Sequence, residues 1–336
     1  VLNVENAARG DARQRLLLEA RQQFGLVQSG VQSIQRSQFA AGLALAIIGS
    51  ILFSAKAVIV KLAYRYGVDA ATLLTLRMAL SLPFFIIALA WSSRGAQPLS
   101  HTDHMRLIFI GLLGYYAASY LDFLGLQYVT AALERLILYL SPTLVVVLSS
   151  FVLRMHFGRY EWAALALCYG GILLVFWHDA SLEGGQVLLG SGLVFASAVC
   201  YAIYLIMSGE LVQRLGAIRL TAYAMCVSSF AVFAQFAVLN PISALRQPQA
   251  VYGLSLLNAL LCTVLPVFAT MLAVERIGAG RASMASMIGP VSTIALAYLF
   301  LDERISVWQL AGTALVLTGI YVLTRAGRAP VSKEGA

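Results

Sequence analysis

Long apolar runs alternate with short polar segments from residue 39 to residue 324. Each run is close to the ~20 helical residues that cross the hydrocarbon core of a bilayer. A helix satisfies its own backbone hydrogen bonds, which an open strand in lipid does not. The pattern therefore predicts ten membrane-spanning helices. They cover 39–63, 71–91, 105–125, 129–153, 161–177, 188–213, 219–239, 251–274, 279–301 and 307–324.

The composition agrees with an all-α integral membrane protein. Hydrophobic residues make up 60% of the chain and charged residues 11%, with a mean hydropathy of +0.82. A soluble domain would carry roughly 25% charged residues. The net charge of +8 lies mostly in short loops and at the two ends. That placement is typical of membrane orientation and does not form a basic, aromatic-rich patch for nucleic acid.

The loop charges predict which side of the membrane each loop faces. If the amino terminus is cytoplasmic, sixteen Lys and Arg residues lie in the cytoplasmic loops and tails. The opposite side then holds three, namely Arg65, Arg246 and Arg304. Positive residues accumulate on the cytoplasmic side of membrane proteins. We therefore expect both termini in the cytoplasm and the protein in the inner (plasma) membrane.

The chain contains few residue patterns that are typical of catalysis or cofactor binding. The four cysteines lie inside apolar runs, and the four histidines lie in loops or at predicted helix ends. Neither set has metal-ligand spacing, and no P-loop pattern is present, so we expect no cofactor, metal, nucleotide or enzymatic activity. Residues 1–38 are polar and Arg-rich without a signal-peptide pattern. They are expected to form a cytoplasmic segment, as a surface helix or an unstructured tail.

An internal repeat divides the membrane region into two halves. Pro142 and Pro290 are 148 positions apart, and the same offset places Gly171 on Gly319. Each half contains five predicted spans, 39–177 in the first and 188–324 in the second, followed by a tail at 325–336. Because five is odd, the second half must enter the membrane in the opposite orientation. Inverted repeats of this kind are typical of secondary transporters, which bind substrate near the midplane between the repeats.

Two stretches show a resemblance to a known family. Residues 124–132 lead into Leu140-Ser-Pro-Thr143, and residues 279–283 lead into Ile288-Gly-Pro290, which is followed by Leu299-Phe-Leu-Asp-Glu-Arg304. With ten spans, these motifs resemble the drug/metabolite transporter superfamily, and within it the EamA-type ten-helix exporters and the bacterial aromatic-amino-acid exporter subgroup. The resemblance covers about residues 39–325. It implies export of small metabolites and leaves the substrate open.

Charged residues inside spans are rare and usually face a cavity or a partner. Lys56 lies about 10 Å inside the end of its span. It is predicted either to offer its charge to a substrate carboxylate or to extend its ammonium to the interface. The other charged residues inside the spans of the first half are Arg77, Asp122, Glu134 and Arg135. They are expected to pair with one another, for example Asp122 with Arg135 or Arg77.

Tyrosines well inside the spans predict a semi-polar cavity for a planar, amphipathic solute. A buried phenol needs a hydrogen-bond partner, which a substrate or a backbone carbonyl can supply. The candidate substrate-binding tyrosines are Tyr116, Tyr120, Tyr139, Tyr201 and Tyr204. Packing between helices is the alternative for each.

The predicted ninth span adds further candidates. Ser283 is surrounded by small residues that leave room for a cavity wall or for close helix packing. Met287 is a candidate soft apolar lining or a packing residue. Pro142 and Pro290 occupy matched places in the two halves and are the predicted hinges, since proline removes a helical hydrogen bond.

These observations predict a secondary transporter that exports small amphipathic metabolites, most plausibly amino acids and aromatic ones among them, by alternating access. The expected partners are a small-molecule substrate and the lipid bilayer, without nucleic acid, for a monomer or a homodimer. An organic-anion or sugar-phosphate exchanger of the same superfamily is the alternative within transport. A membrane enzyme or a receptor is the alternative outside it.

Overall fold

The computed structural model describes residues 38–153, 159–183, 185–277, 282 and 285–326. This part of the chain is helical and contains no β-strand. Eight of its helices are long and apolar enough to span a membrane, and two shorter apolar helices, Ile288–Leu301 and Val307–Val322, complete the ten. The protein is thus an all-α integral membrane protein. The predicted segment 1–38 lies outside the described residues except for its last position, and the predicted tail 325–336 outside them except for its first two.

The spanning helices follow the predicted order, with differences at their ends. They are α1 (Gln38–Tyr64), α2 (Ala70–Ser92), α3 (His101–Gly125), α4 in two pieces, α4a (Ala131–Leu138) and α4b (Ser141–Leu153), α5 (Arg159–Glu183), α6 (Gln186–Leu215), α7 (Ala217–Leu239), α8 (Gln249–Ile277), α9 (Ile288–Leu301) and α10 (Val307–Ala326).

Polar caps define several helix starts that hydropathy alone misses. The α3 helix begins four residues before the predicted span because Ser100 and Asp103 form a capping box. The side chains of Asp69 and Thr130 cap α2 and α4a by accepting bonds from the Thr72 and Leu133 amides. These caps satisfy amides that the first turn of a helix leaves unpaired. They fix the loop ends of α2, α3 and α4a.

Burial is distributed as in a membrane protein. Large apolar side chains cover the outside, such as Trp177 at 79% and Leu299 at 67% exposed. In contrast, several charged side chains of α1–α4 are at most 5% exposed. Because lipid is as apolar as leucine, lipid-facing residues are hydrophobic and the polar groups turn inward.

The internal repeat is visible in the backbone. The α3 helix contains a π-helical segment at Leu112–Ala117, and α8 contains one at Leu260–Val264, which starts 148 positions later. A two-residue turn precedes Pro142 in α4, and an equivalent turn at 286–287 precedes Pro290. Matched irregularities at one offset are independent of hydropathy. They support two five-helix repeats of opposite orientation.

Two matched contacts join α5 to α10. A Cβ on Gly171 would lie 2.7 Å from the Gly312 carbonyl oxygen. A Cβ on Gly319 would lie 2.8 Å from the Ala164 carbonyl oxygen. The 148-residue offset relates Gly171 to Gly319 and Ala164 to Gly312, so the two contacts are equivalent in the repeat. Such reciprocal contacts are expected across a two-fold axis, so the pseudo-symmetry axis passes between α5 and α10.

Candidate functional site

The break in α4 meets the break before α9. The Tyr139 hydroxyl, at the end of α4a, donates to the Ser286 carbonyl oxygen, and the Ser50 hydroxyl of α1 donates to the same oxygen at 2.7 Å. A broken helix leaves carbonyls without helical partners, and irregular backbone at membrane depth persists where protein groups satisfy it. The two repeats are therefore joined through side-chain donors of the first and a turn carbonyl of the second, which also accepts from the Gly289 amide at 3.0 Å.

Gly289 allows this close contact. A Cβ at this position would collide with the Tyr139 hydroxyl and would lie 2.9 Å from Arg135 Nη2 and 3.0 Å from Ser50 Oγ. The Ser54 hydroxyl lies 3.0 Å from the Gly289 carbonyl oxygen, to which it can donate. The start of α9 thus packs against polar side chains of α1 and α4a without an intervening side chain.

Lys56 lies at the centre of a buried ion triad. Its ammonium contacts Asp122 Oδ2 and lies 2.9 Å from Glu134 Oε1, and all three side chains are at most 5% exposed. The alternative in which Lys56 reaches the interface is not observed. Asp122 pairs with Lys56 and not with Arg135 or Arg77, because α1 places the ammonium between α3 and α4a. The second oxygens, Asp122 Oδ1 and Glu134 Oε2, have no hydrogen-bond donor.

Arg135 lies beside the triad and is held by aromatic rings. Its guanidinium carbon lies 4.9 Å from the Phe53 ring centroid and 5.1 Å from that of Tyr139. Nη2 donates to Ser54 Oγ at 3.1 Å, and Nε has no acceptor. Within the described residues, no carboxylate oxygen lies within 4 Å of this guanidinium. Cation–π contacts orient it without neutralising its charge.

Arg77 occupies a separate position on α2. Its Nη2 donates to Ser119 at 3.1 Å, and its guanidinium carbon lies 4.9 Å from the Phe123 ring centroid. It is 5% exposed. Arg77 therefore adds positive charge near Asp122 without contacting the triad.

The predicted tyrosines form two stacked pairs. The rings of Tyr116 and Tyr120 are nearly parallel with centroids 6.5 Å apart, and those of Tyr201 and Tyr204 are 5.5 Å apart. Tyr201 lies within electrostatic range of Arg135 and is 37% exposed. The structure thus brings Tyr139 and Tyr201 near Arg135 and pairs Tyr116 with Tyr120 on α3.

Tyr115 is a polar partner that the sequence pattern did not identify. Its hydroxyl lies 3.3 Å from the Tyr204 hydroxyl, and the two rings meet edge to face at 5.1 Å. In a regular α-helix with 3.6 residues per turn, Tyr116 and Tyr120 share one face and Tyr115 lies on another, so the pattern did not select Tyr115. The π-helical segment changes that register, because its bonds join residues five apart. Gly114 makes room, since a Cβ there would collide with Tyr204.

The remaining predicted residues are distributed as follows. Met287 is partly buried against the cluster that includes Leu136 and Leu140. Pro290 is buried at the start of α9, whereas Pro142 is exposed at the start of α4b. Ser283 lies outside the described residues. The hinge and binding roles of these residues stay predictions.

Three residues at the contact between the repeats, Ser50, Phe53 and Ser54, were not identified from the sequence. Ser50 lies three residues before Phe53 and four before Ser54 on α1, so they share a face of that helix, and Lys56 follows Phe53 by three residues. Ser286 and Gly289 are among the small residues around Ser283 for which close helix packing was one expectation, and Gly289 does pack closely. The role of the Ser286 carbonyl is not visible in a side-chain pattern.

The loop after α9 fastens the two repeats together at one membrane side. The Glu303 carboxylate lies 3.0 Å from Lys61 Nζ and accepts from the Ala131 amide at 3.4 Å. Arg65 Nη2 donates to the Leu301 carbonyl at 2.8 Å. Asp302 turns the chain with a φ of 60°. We call Lys61, Arg65, Ala131, Leu301 and Glu303 the loop clasp.

Among the described residues, no group of three His, Cys, Asp or Glu side chains could hold a metal ion. The four cysteines are free, and three of them are buried. An open groove of about 370 Å³ lies between α1 and α8, lined by Leu62, Arg65, Tyr66, Ala250 and Leu254.

Comparisons with known proteins agree with the repeat. The EamA-like transporter family model matches residues 40–177 and 188–325, one copy on each half. The chain is 31% identical over 292 residues to the uncharacterized transporter YcbK of Bacillus subtilis, covering 84% of this chain and 93% of that protein. It is 24% identical over 272 residues to the uncharacterized transporter YyaM of the same organism, covering 80% and 85%.

A solved crystal structure shares the fold. It superimposes with a TM-score of 0.62 at 16% identity and covers 86% of this chain and 99% of that one. At this identity the likeness concerns the fold alone. The family match on both halves and the relative above 30% identity carry the assignment. The chain is a multi-pass membrane protein that belongs to the EamA-like transporter family.

Proposed function

We propose that this transporter exports small amphipathic metabolites, amino acids and aromatic ones among them, by alternating access. The observation that carries the proposal is the contact between the two broken helices, where Tyr139 meets Ser286 beside a buried charged cluster. Discontinuous helices between inverted repeats are where secondary transporters bind substrate. The rings of Tyr139 and Tyr201 suit a planar apolar body, and Arg135 suits a polar end.

The site residues predicted from the sequence enter this proposal in different ways. Tyr139 and Tyr201 adjoin the charged cluster, and Tyr204 supports Tyr201 by stacking. Lys56 is proposed to act on the substrate indirectly, through the charged cluster, because its ammonium already contacts two carboxylates. Tyr116, Tyr120, Ser283 and Met287 are proposed as lining residues of other conformations in the transport cycle.

The proposed direction of export depends on orientation. The bias of sixteen to three positive residues supports cytoplasmic termini in the inner membrane. In that orientation the loop clasp lies on the extracellular side and joins the two repeats there. Pro142 and Pro290 are proposed as the hinges through which the halves exchange conformations.

An organic-anion exchanger of the same superfamily is the second candidate. One observation favours it, namely that Lys56, Arg77 and Arg135 outnumber Asp122 and Glu134 in the buried cluster. A surplus positive charge in a water-poor site attracts an anion. In contrast, a membrane enzyme would need a cluster of catalytic groups at an interface, and nothing in the described part of the chain supports one.

Counterflow in proteoliposomes tests the proposal. Purified protein is reconstituted with an unlabelled compound inside, and uptake of the labelled compound is followed against protein-free vesicles. We expect accumulation with aromatic amino acids, and accumulation with phosphate esters would favour the second candidate. Equal traces with and without protein across amino acids, organic anions and phosphate esters would contradict both. Repeating the flux measurement with an imposed pH gradient shows whether transport is coupled to proton movement. We propose that it is not, and that the substrate moves by uncoupled transport or exchange.

A further inference from the structure

The buried cluster of the first repeat carries an unbalanced positive charge. It contains three cations, on α1, α2 and α4a, and two carboxylates, on α3 and α4a. Lys56 contacts both carboxylates. Arg77 has a hydroxyl and a ring as partners, and its Nε, like that of Arg135, has no acceptor. Burying a charge is costly unless it is paired, so the cluster as it stands favours an additional anion.

Arg135 is the cation that is placed to receive that anion, because it lies at the contact between the repeats, beside Tyr139 and Gly289. Its Nε has no acceptor, although the side chain is only 4% exposed. Phe53 and Tyr139 fix the plane of the guanidinium. A planar guanidinium can bind a carboxylate through two parallel hydrogen bonds, which a lysine ammonium does not provide.

The surroundings of Arg135 fit an apolar body attached to such a carboxylate. Phe53 is 39% exposed and Tyr201 is 37% exposed, although both lie near the middle of their helices. Each therefore keeps uncovered aromatic surface close to the guanidinium. The neighbouring carbonyls of Ser286 and Gly289 already have hydroxyl groups within bonding distance.

We infer that Arg135 binds the carboxylate of the substrate and that the substrate class is a small carboxylate-bearing compound with an apolar or aromatic body. This inference rests on the proposed transport function. Lys56 becomes a positioning residue, which neutralises Asp122 and Glu134 so that they do not neutralise Arg135.

Counterflow with matched compounds tests this inference. Phenylalanine and its methyl ester are compared as competitors of labelled phenylalanine in the wild-type protein. We expect the free carboxylate to compete at least tenfold better. Arg135→Gln is expected to remove this preference, and Arg135→Lys to retain part of it. Arg106→Gln is the matched control, because Arg106 is exposed and lies in a surface pair with Glu210.

The outcomes separate this inference from the proposed function. Wild-type flux with equal competition by acid and ester would overturn the role of Arg135 and leave transport intact, whether or not the variants fold. An Arg135→Gln protein that keeps the wild-type preference would overturn it as well. Absence of wild-type flux with every compound would contradict the proposed function itself.

The loop clasp carries a second, independent inference. Glu303 belongs to the second repeat, and its partners Lys61 and Ala131 belong to the first. Lys61 lies five residues, about 7.5 Å, beyond Lys56 along α1, and Ala131 lies one turn, about 6 Å, beyond Arg135 along α4a. The clasp therefore lies directly between the charged cluster and the nearest membrane surface.

The geometry points to the loop clasp as the gate on this side of the membrane. Opening requires Glu303 to leave Lys61 and the Ala131 amide together, and Arg65 to leave the Leu301 carbonyl. Lys61 also donates to the Val129 carbonyl at 2.9 Å, which holds its ammonium in place when Glu303 departs. The gate is thus an ion pair between the repeats, supported by two hydrogen bonds to backbone groups.

Cysteine accessibility tests the gate. Tyr201→Cys is introduced into a protein whose four native cysteines are replaced, and an impermeant maleimide is applied from the clasp side. We expect Glu303→Gln to raise the labelling rate several-fold, and the charge exchange Lys61→Glu with Glu303→Lys to restore slow labelling. Glu275→Gln, at an exposed position on the opposite side, is the control. Unchanged labelling in Glu303→Gln, or equal increases in Glu303→Gln and the control, would overturn the gate.

Discussion

The Tyr139 hydroxyl donates a hydrogen bond to the Ser286 carbonyl, so the break in one repeat is tied to the break in the other. Tyr139 precedes Pro142 by three residues, and Ser286 precedes Pro290 by four. The bond thus joins near-equivalent points of two inverted units. A bond in this position responds to any motion that changes how the units face one another.

Removing this bond should disturb function more than stability. Tyr139→Phe leaves Ser50 as a donor to the Ser286 carbonyl, so the unfolding free energy should fall by only about 1 kcal/mol. Counterflow should slow several-fold, because the broken ends lose their direct connection. Tyr298→Phe, on an exposed tyrosine of α9, is the control. Wild-type flux in Tyr139→Phe would show that the bond has no part in transport.

A methyl group at Gly289 should be poorly tolerated. In Gly289→Ala, the new Cβ would occupy the position of the Tyr139 hydroxyl and press on Arg135. Overpacking of this kind costs typically 1–3 kcal/mol. We expect a lower melting temperature in detergent together with loss of flux. Gly253→Ala is the matched control, because a Cβ there meets no atom within 4 Å. Equal behaviour of both variants would contradict the packing described for Gly289.

The contact between α5 and α10 offers a comparison of adjacent residues. Gly171→Ala would place a Cβ 2.7 Å from the Gly312 carbonyl, whereas Gly170→Ala meets nothing within 4 Å. We expect Gly171→Ala to destabilise the protein by roughly 1–3 kcal/mol and Gly170→Ala to leave it unchanged or slightly stabilised. Thermal unfolding in detergent measures both. Reversal of this order would contradict the packing of α5 on α10.

Lys56 should be essential for the integrity of the cluster. In Lys56→Met, the buried carboxyl groups of Asp122 and Glu134 lose the ammonium that lies between them. Breaking a buried ion pair in this way costs about 3–5 kcal/mol. The combined change Lys56→Met, Asp122→Asn and Glu134→Gln removes the charges together and should recover much of the loss.

Unfolding measurements on the Lys56 single and triple variants decide this point. A single variant with wild-type stability would show that the carboxylates find other compensation. A triple variant no more stable than the single one would show that shape, and not charge, holds the cluster together.

Hydropathy and loop charge predicted the ten helices, the five-plus-five division and the matched prolines, because bilayer thickness constrains helix length directly. The family match on both halves and the matched π-helical segments confirm the repeat. Cap residues shifted the start of α3, since a capping box acts through local bonds that hydropathy does not measure.

The pairing inside the cluster could not be predicted from spacing. Asp122 was expected to contact Arg135 or Arg77, but the packing of α1 between α3 and α4a gives it Lys56. Tyr115 was missed because a π-helical turn changes which face a residue occupies. Gly289 was one of the small residues expected to allow close packing, whereas the Ser286 carbonyl is a backbone group that no side-chain pattern encodes.

Side-specific labelling of two equivalent positions tests the inverted architecture most directly. Tyr66 follows α1, and Gln213 lies near the end of α6, the equivalent helix of the second repeat; both are exposed. Single cysteines at these positions, in a protein without its native cysteines, are treated on intact cells with an impermeant maleimide. Opposite orientation of the repeats predicts that only one of the two cysteines is labelled before the membrane is permeabilised, and cytoplasmic termini predict that this one is Tyr66→Cys. Labelling of both from the same side would contradict the architecture and the transport mechanism built on it.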